Sequence, residues 1–188
     1  MKKHLVLCFS KTGNSKFIAE KLAKALQCDV EMIQPSVNGT GLLFILSLLN
    51  IPVSVNISNE RISQYQEVVI IGPIWGGRLI APLKAVLKKC IALKKPVHFA
   101  VTCETKESDK DGSYGYAQVL NKAKALGGDL VRSTTAFSTS LIIGYDDKIK
   151  TNLSVKAKFT DDNFSEALRT RFEDMKNKVT MQPQHFMV

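Results

Sequence analysis

Ser10, Thr12, Gly13, Asn14 and Ser15 stand between an apolar run, Leu5 to Phe9, and a stretch of helical spacing that starts near Phe17. Hydroxyls, an amide and backbone N–H groups at the start of a helix form a site for an anion. The first-turn N–H groups have no partner inside the helix, and the helix field favours negative charge. Gly13 allows a positive φ or a close approach to an oxygen. The same residue types also cap helices that bind nothing, so the local pattern leaves both readings open. Two familiar nucleotide loops are excluded, because the segment has neither G-x-x-x-x-G-K-[ST] nor G-x-G-x-x-G. Asn14, not arginine, stands six residues after Cys8, which removes a phosphatase-type cysteine loop. A loop rich in hydroxyls and poor in glycine suits one terminal phosphate better than a pyrophosphate.

A second group, Gly72–Pro73–Ile74–Trp75–Gly76–Gly77–Arg78, directly follows the β-branched run Val68 to Ile71. Ligands of open α/β sheets bind outside the carboxyl ends of the strands, which is where this loop falls. Trp75 is the one tryptophan of the chain. It can wall a planar ring, or it can plug the end of the core beside a glycine turn. Gly76 and Gly77 give a backbone that can turn sharply and reorient a peptide. Arg78 reads either as a surface residue at a helix start or as a partner for an anionic substrate. His4, His98 and His185 are far apart in sequence and show no triad or metal-ligand spacing, which fits hydrogen-bonded structural roles. Cys8, Cys28, Cys90 and Cys103 form no CxxC pair, so zinc, iron–sulfur and disulfide frameworks are unsupported.

These residues need a scaffold. Strands are expected at Leu5–Phe9, Asp29–Ile33, Val68–Ile71, Val97–Val101 and Leu130–Phe137. Helices are expected after Ser15, over Ile80–Cys90 with Pro82 in the first turn, over Tyr114–Leu126 with Gly127–Gly128 as the stop, and over Phe164–Val179. Thr102 to Ser113 is highly polar and reads as loop. From Gln34 to Arg61 the signals conflict. Strands alternating with helices imply a parallel sheet covered on both faces. At 188 residues, 45% hydrophobic and 23% charged, one globular domain over residues 1–180 with a tail at 181–188 is expected. The apolar runs near the N-terminus and at Gly41–Val55 are too short to cross a bilayer, so no stable membrane insertion and a cytoplasmic location are expected. The net charge of +9 suits an anionic ligand or an acidic partner. Its dispersal along the chain, without aromatic interleaving, argues against nucleic acid.

The two loops together resemble those of the flavodoxin-like FMN-binding family. Ser10–Ser15 looks like its phosphate loop, and Ile71–Arg78 continuing into Leu79–Pro82 looks like its flavin loop; the likeness runs in order and spacing over residues 3–137. The resemblance implies a flavodoxin-like three-layer α/β/α sandwich with a parallel five-stranded sheet. It implies that Ser10, Thr12, Gly13, Asn14 and Ser15 hold the FMN phosphate. Pro73, Ile74, Trp75, Gly76 and Gly77 would form the flavin loop, with Trp75 against the ring, the Gly76 carbonyl near its N5 atom and Gly77 easing the turn. Thr102, Cys103 and Glu104 match the position of the third flavin-contacting loop, where Cys103 could touch the ring edge. Tyr114 could fold over the other face, and Tyr116 suits a core or helix-surface position better. The implied function is electron transfer through FMN, with a redox protein or a small-molecule acceptor as partner. Two alternatives are an NAD(P)H-dependent FMN quinone or nitro-compound reductase and a cofactor-free binding module. The sequence departs from the family in its basic charge, in the loop TCETKESDKDGSYGY and in the apolar insert Gly39–Val55. That insert reads as a core helix, a cover for the sheet, a homodimer contact or a pocket wall for an apolar acceptor.

Overall fold

Runs of β-branched and aliphatic residues become the buried middle of a sheet because each is covered on both faces. The computed structural model describes residues 1–37, 39–145 and 157–181. Its strands are β1 (Lys2–Cys8), β2 (Asp29–Met32), β3 (Tyr65–Pro73), β4 (Val97–Cys103) and β5 (Val131–Ser138). They form one parallel sheet in the order β2-β1-β3-β4-β5. Successive side chains alternate between two cores: Leu5, Leu7, Val68, Ile70 and Phe99 face one, and Val6, Cys8, Val69, Ile71 and Ala100 face the other. β3 runs two residues past the expected end, with Gly72 opposite Val101 and Pro73 opposite Thr102. Gly72 is required there because a Cβ would lie 2.6 Å from the Leu83 side chain that crosses the strand.

The helices are α1 (Asn14–Leu26), α2 (Thr40–Leu48), α3 (Asn59–Ser63), α4 (Ala81–Ala92), α5 (Tyr116–Gly127) and α6 (Glu166–Thr180). α1 and α6 cover one face through Ile18, Leu22, Leu168 and Phe172, and α4 and α5 cover the other through Leu83, Leu87, Val119 and Ala123. The result is the expected α/β/α sandwich with five parallel strands. Local chemistry sets the ends: Ser165 caps α6 by accepting from the Leu168 N–H, and Gly128, at φ 53°, closes α5. Apart from Met181, the segment expected as a tail lies outside the described residues, and so does His185.

The ambiguous stretch resolves into α2 and α3, and α2 is no core helix. It buries only Leu43 and Ser47, while Leu42, Phe44, Ile45, Leu48, Leu49 and Ile51 are exposed. Ser47 explains how α2 is held. Its hydroxyl donates to the Leu43 carbonyl and accepts from the Ala81 N–H, so α2 supplies the cap that the start of α4 lacks. No described helix is long and apolar enough to cross a membrane.

At the opposite end of the sheet from the loops discussed above, the fold brings together two histidines that sequence separates. His4 on β1 and His98 on β4 point their Nε2 atoms at Glu67 on β3, 3.6 and 3.5 Å from one carboxylate oxygen. Ser133 holds the other nitrogen of His98 at 2.7 Å, and the Val179 carbonyl lies 3.2 Å from His4 Nε2. These contacts, His4 first and His98 second, hold the Glu67 pKa down at about 2. Because the folded value is below the ordinary carboxylate value, this stabilisation is complete above about pH 4.5 and fades as pH falls toward about 2. The unfolding free energy from urea titrations should therefore drop over that window by an amount on the order of 2 kcal/mol. Glu67→Gln should be less stable at pH 6 and nearly flat between pH 5 and pH 3; a variant as steep as the parent would locate acid sensitivity elsewhere.

Candidate functional site

The loops that leave the carboxyl ends of β1, β3 and β4 line an open cavity of about 790 Å³. In the strand order, β1 and β3 are the neighbours from which the chain winds in opposite directions, the point where open α/β sheets place ligands. Ten of the sequence-expected residues line the cavity: Thr12 and Asn14 from the first loop, Pro73 to Gly77 from the second, and Thr102, Cys103 and Glu104 from the third.

One end of the cavity is the start of α1. Gly13 is its N-cap, at φ 98°, and no side chain caps the first turn. The first helical bond is donated by Phe17 to the Gly13 carbonyl, so the N–H groups just before Phe17 have no partner within the helix. No acidic residue lies in that turn. A helix start left this way is prepared for an anion. Ser10, Gly13 and Ser15 are not part of the lining. The Ser10 hydroxyl accepts from the Gly13 N–H at 3.2 Å and shapes the loop. The Ser15 hydroxyl is fully buried against that of Thr102 at 2.7 Å, tying α1 to the end of β4. Asn14 is also committed: its amide donates to the Ala157 carbonyl at 3.0 Å and accepts from the Phe159 N–H at 2.9 Å. Among the side chains of this loop, Thr12 is exposed toward the cavity.

Another wall is built around Trp75. Gly76 and Gly77 have φ of 55° and 65°, and the Arg78 N–H returns to the Trp75 carbonyl at 3.1 Å. Two successive positive φ values make a tight turn of the type that favours glycine. The turn holds Trp75 half-buried, edge-on to Phe9 with centroids 5.9 Å apart. Gly77 packs directly on the third loop: a Cβ there would lie 2.7 Å from the Ser113 carbonyl oxygen and from Tyr114 Cα. Arg78 is exposed.

The third loop contributes more than its first three residues. Thr105, Ser108, Asp109 and Gly112 to Gly115 complete the wall, and Tyr114 is exposed there while Tyr116 is buried. The expectation of a core position for Tyr116 holds. Composition marked this segment as polar loop; what it concealed was an anchor, Glu107. Its carboxylate accepts hydrogen bonds from Tyr116 of α5 and Arg171 of α6. Burial would raise the Glu107 pKa, but Tyr116 and Arg171 outweigh it and hold the group ionised, below the usual range. The Ser138 hydroxyl bonds the Thr105 carbonyl at 2.6 Å and fixes the loop from β5. A polar loop tied at both ends to helices and a strand is a wall, not a flap. Cys103 is buried at the cavity edge and burial raises its thiol pKa, which removes the thiolate a nucleophile needs. Among the described residues no cluster of metal-ligating side chains occurs.

No protein-family model matches this sequence, and no curated protein does. Solved structures do match the fold. A flavoprotein from Lactobacillus acidophilus, in complex with FMN, is 17% identical over 72% of this chain and 93% of its own, with a TM-score of 0.54. Oxidised flavodoxin 1 from Bacillus cereus is 13% identical over 96% of this chain and all of its own, with a TM-score of 0.52. The Trp repressor binding protein from Bacillus subtilis is 12% identical over 93% of this chain and 99% of its own, with a TM-score of 0.51. At such identities the likeness speaks for architecture. This chain has the flavodoxin-like fold.

Proposed function

We propose that the cavity binds FMN and that the protein passes electrons through it. The observation that carries this reading is the pairing of an uncapped helix start and a half-buried tryptophan in one cavity. The helix start suits a single phosphate and the tryptophan a planar ring, and the cavity volume falls within the range of cofactor sites. The FMN-bound Lactobacillus acidophilus structure shares the architecture.

The N–H groups of the α1 first turn and the Thr12 hydroxyl would hold the phosphate. Trp75 would lie against the ring and exclude water from one face, and Tyr114, exposed on the third loop, would cover the other. The Gly76 carbonyl would hold the edge of the ring, and the glycines of the turn leave that peptide free to reorient. Bound FMN supplies reversible one- or two-electron chemistry that no side chain of the site can perform. Glu104 and Asp109, at the cavity wall, would disfavour negative charge on the ring and so lower its potential. A second reading, an NAD(P)H-dependent reductase of quinones or nitro compounds, is favoured by one observation: the exposed apolar α2 abuts the turn, with the Phe44 ring 3.5 Å from the Cβ position of Gly76.

The test is an absorption spectrum of protein mixed with excess FMN and desalted. A retained yellow flavin is expected, with riboflavin binding far more weakly because it lacks the phosphate. Trp75→Ala should weaken FMN by roughly tenfold or more. Full recovery of colourless protein with no response in an FMN titration would leave the cofactor-free binding module. NAD(P)H oxidation driven by a quinone would select the reductase over the carrier.

A further inference from the structure

From Gly39 to Ile57 the chain carries no charged residue. Leu42, Phe44, Ile45, Leu48, Leu49 and Ile51 are 38% to 61% exposed, an apolar face contiguous along one helix and the turn after it. Soluble surfaces seldom keep such a face uncovered. Basic residues adjoin it. Lys84 of α4 bonds the Asn50 side chain at the end of α2. Lys88 lies one helical turn beyond Lys84 on α4 and is exposed. Arg78 is exposed in the turn that Phe44 approaches.

We propose that α2 and its lysine rim dock the protein on the surface of an anionic lipid bilayer. The outward side chains of α2 from Leu42 to Leu49 are aliphatic or phenyl and offer no hydrogen bond, whereas protein interfaces need about one per 100–200 Å² and draw their strongest contacts from Trp, Tyr and Arg. A second copy of the chain is disfavoured, since a two-fold contact would bring like-charged lysine rims together. Lipid satisfies both features, with acyl chains for the apolar face and anionic headgroups for the rim. Nine residues of helix span about 14 Å, too short to cross the hydrocarbon core, so α2 would lie in the interface. The docked helix adjoins Gly76, so the cavity mouth would open beside the bilayer. On the flavin reading, that favours a lipid-soluble acceptor; the docking itself does not depend on flavin.

Vesicle flotation tests this without any flavin signal. Binding is expected to vesicles of phosphatidylcholine containing about one third phosphatidylglycerol, and not to phosphatidylcholine alone. Leu42→Gln/Ile45→Gln/Leu49→Gln, all exposed positions, should reduce binding about tenfold or more, and Arg78→Gln/Lys84→Gln should reduce it about tenfold. Absence of binding to both compositions overturns the proposal. Binding unchanged in the triple variant overturns it too, by assigning attraction to net charge alone. A dimer in sedimentation that the triple variant dissolves would assign the face to a second copy instead.

Discussion

Gly77→Asn should lower stability by about 3 kcal/mol, while Gly76→Asn should cost about 1 kcal/mol or less. Both glycines have positive φ, and asparagine is among the residues that best tolerate that region. Backbone strain is thus similar at the two positions, and the difference lies in what a side chain meets. At Gly76 the nearest atoms are on the Phe44 ring at 3.5 Å, an ordinary contact with a side chain that can move. At Gly77 they are backbone atoms, the Ser113 carbonyl oxygen and Tyr114 Cα, both at 2.7 Å. Those atoms belong to a loop whose far side is fixed through Glu107, Tyr116 and Arg171. The loop cannot yield without loosening those bonds. Thermal unfolding without added FMN should show Gly77→Asn melting roughly 5–10 °C below Gly76→Asn. If the wall moves aside instead, stability is spared but the two sides of the cavity separate, and FMN affinity falls by about a hundredfold in Gly77→Asn alone. Equal melting and equal flavin affinity in the two variants would show that the turn and the wall are not in the contact described.

The architecture was legible because its signals are local. Val68 to Ile71 could hardly be anything but a covered strand, and alternation with helices fixes a parallel sheet. The cavity floor was legible for the same reason: Thr12, Trp75, Gly76 and Gly77 sit where strand ends must open. Three features were not legible, and two of them depend on distance in sequence. Glu67 reads as a mid-strand charge until β1 and β4 bring His4 and His98 to it. Glu107 reads as one acid in a polar loop until α6, more than fifty residues later, presents Arg171. The exposure of α2 was hidden because an uncharged aliphatic run has the same composition whether it meets a core or a lipid surface.

Asn14 shows how one residue can belong to both scaffold and site, and substitution should separate the two. Thr12→Ala removes an exposed hydroxyl at the phosphate end; stability should change by less than about 0.5 kcal/mol, and FMN affinity should fall about tenfold. Asn14→Ala should cost about 2–4 kcal/mol. It leaves the buried Phe159 N–H and the Ala157 carbonyl unpaired and frees the segment that inserts Phe159 among Phe17 and Phe164. Weaker FMN binding in that variant would be ambiguous by itself, since a loosened α1 start also binds anions less well. Asn14→Asp resolves the ambiguity because its two effects have opposite signs. The carboxylate still accepts from the Phe159 N–H and sits favourably at a helix start, but it loses the bond to the Ala157 carbonyl and sets an oxygen against it, so at pH 7 it should exceed Asn14→Ala in stability by only a small margin. The same negative charge repels a phosphate at that helix start, so it should bind FMN more weakly than Asn14→Ala. Stability ordered Asn, Asp, Ala against affinity ordered Asn, Ala, Asp requires the anion to lie at the first turn of α1. If FMN affinity instead simply follows stability across the three side chains, the start of α1 holds the fold together and the phosphate lies elsewhere.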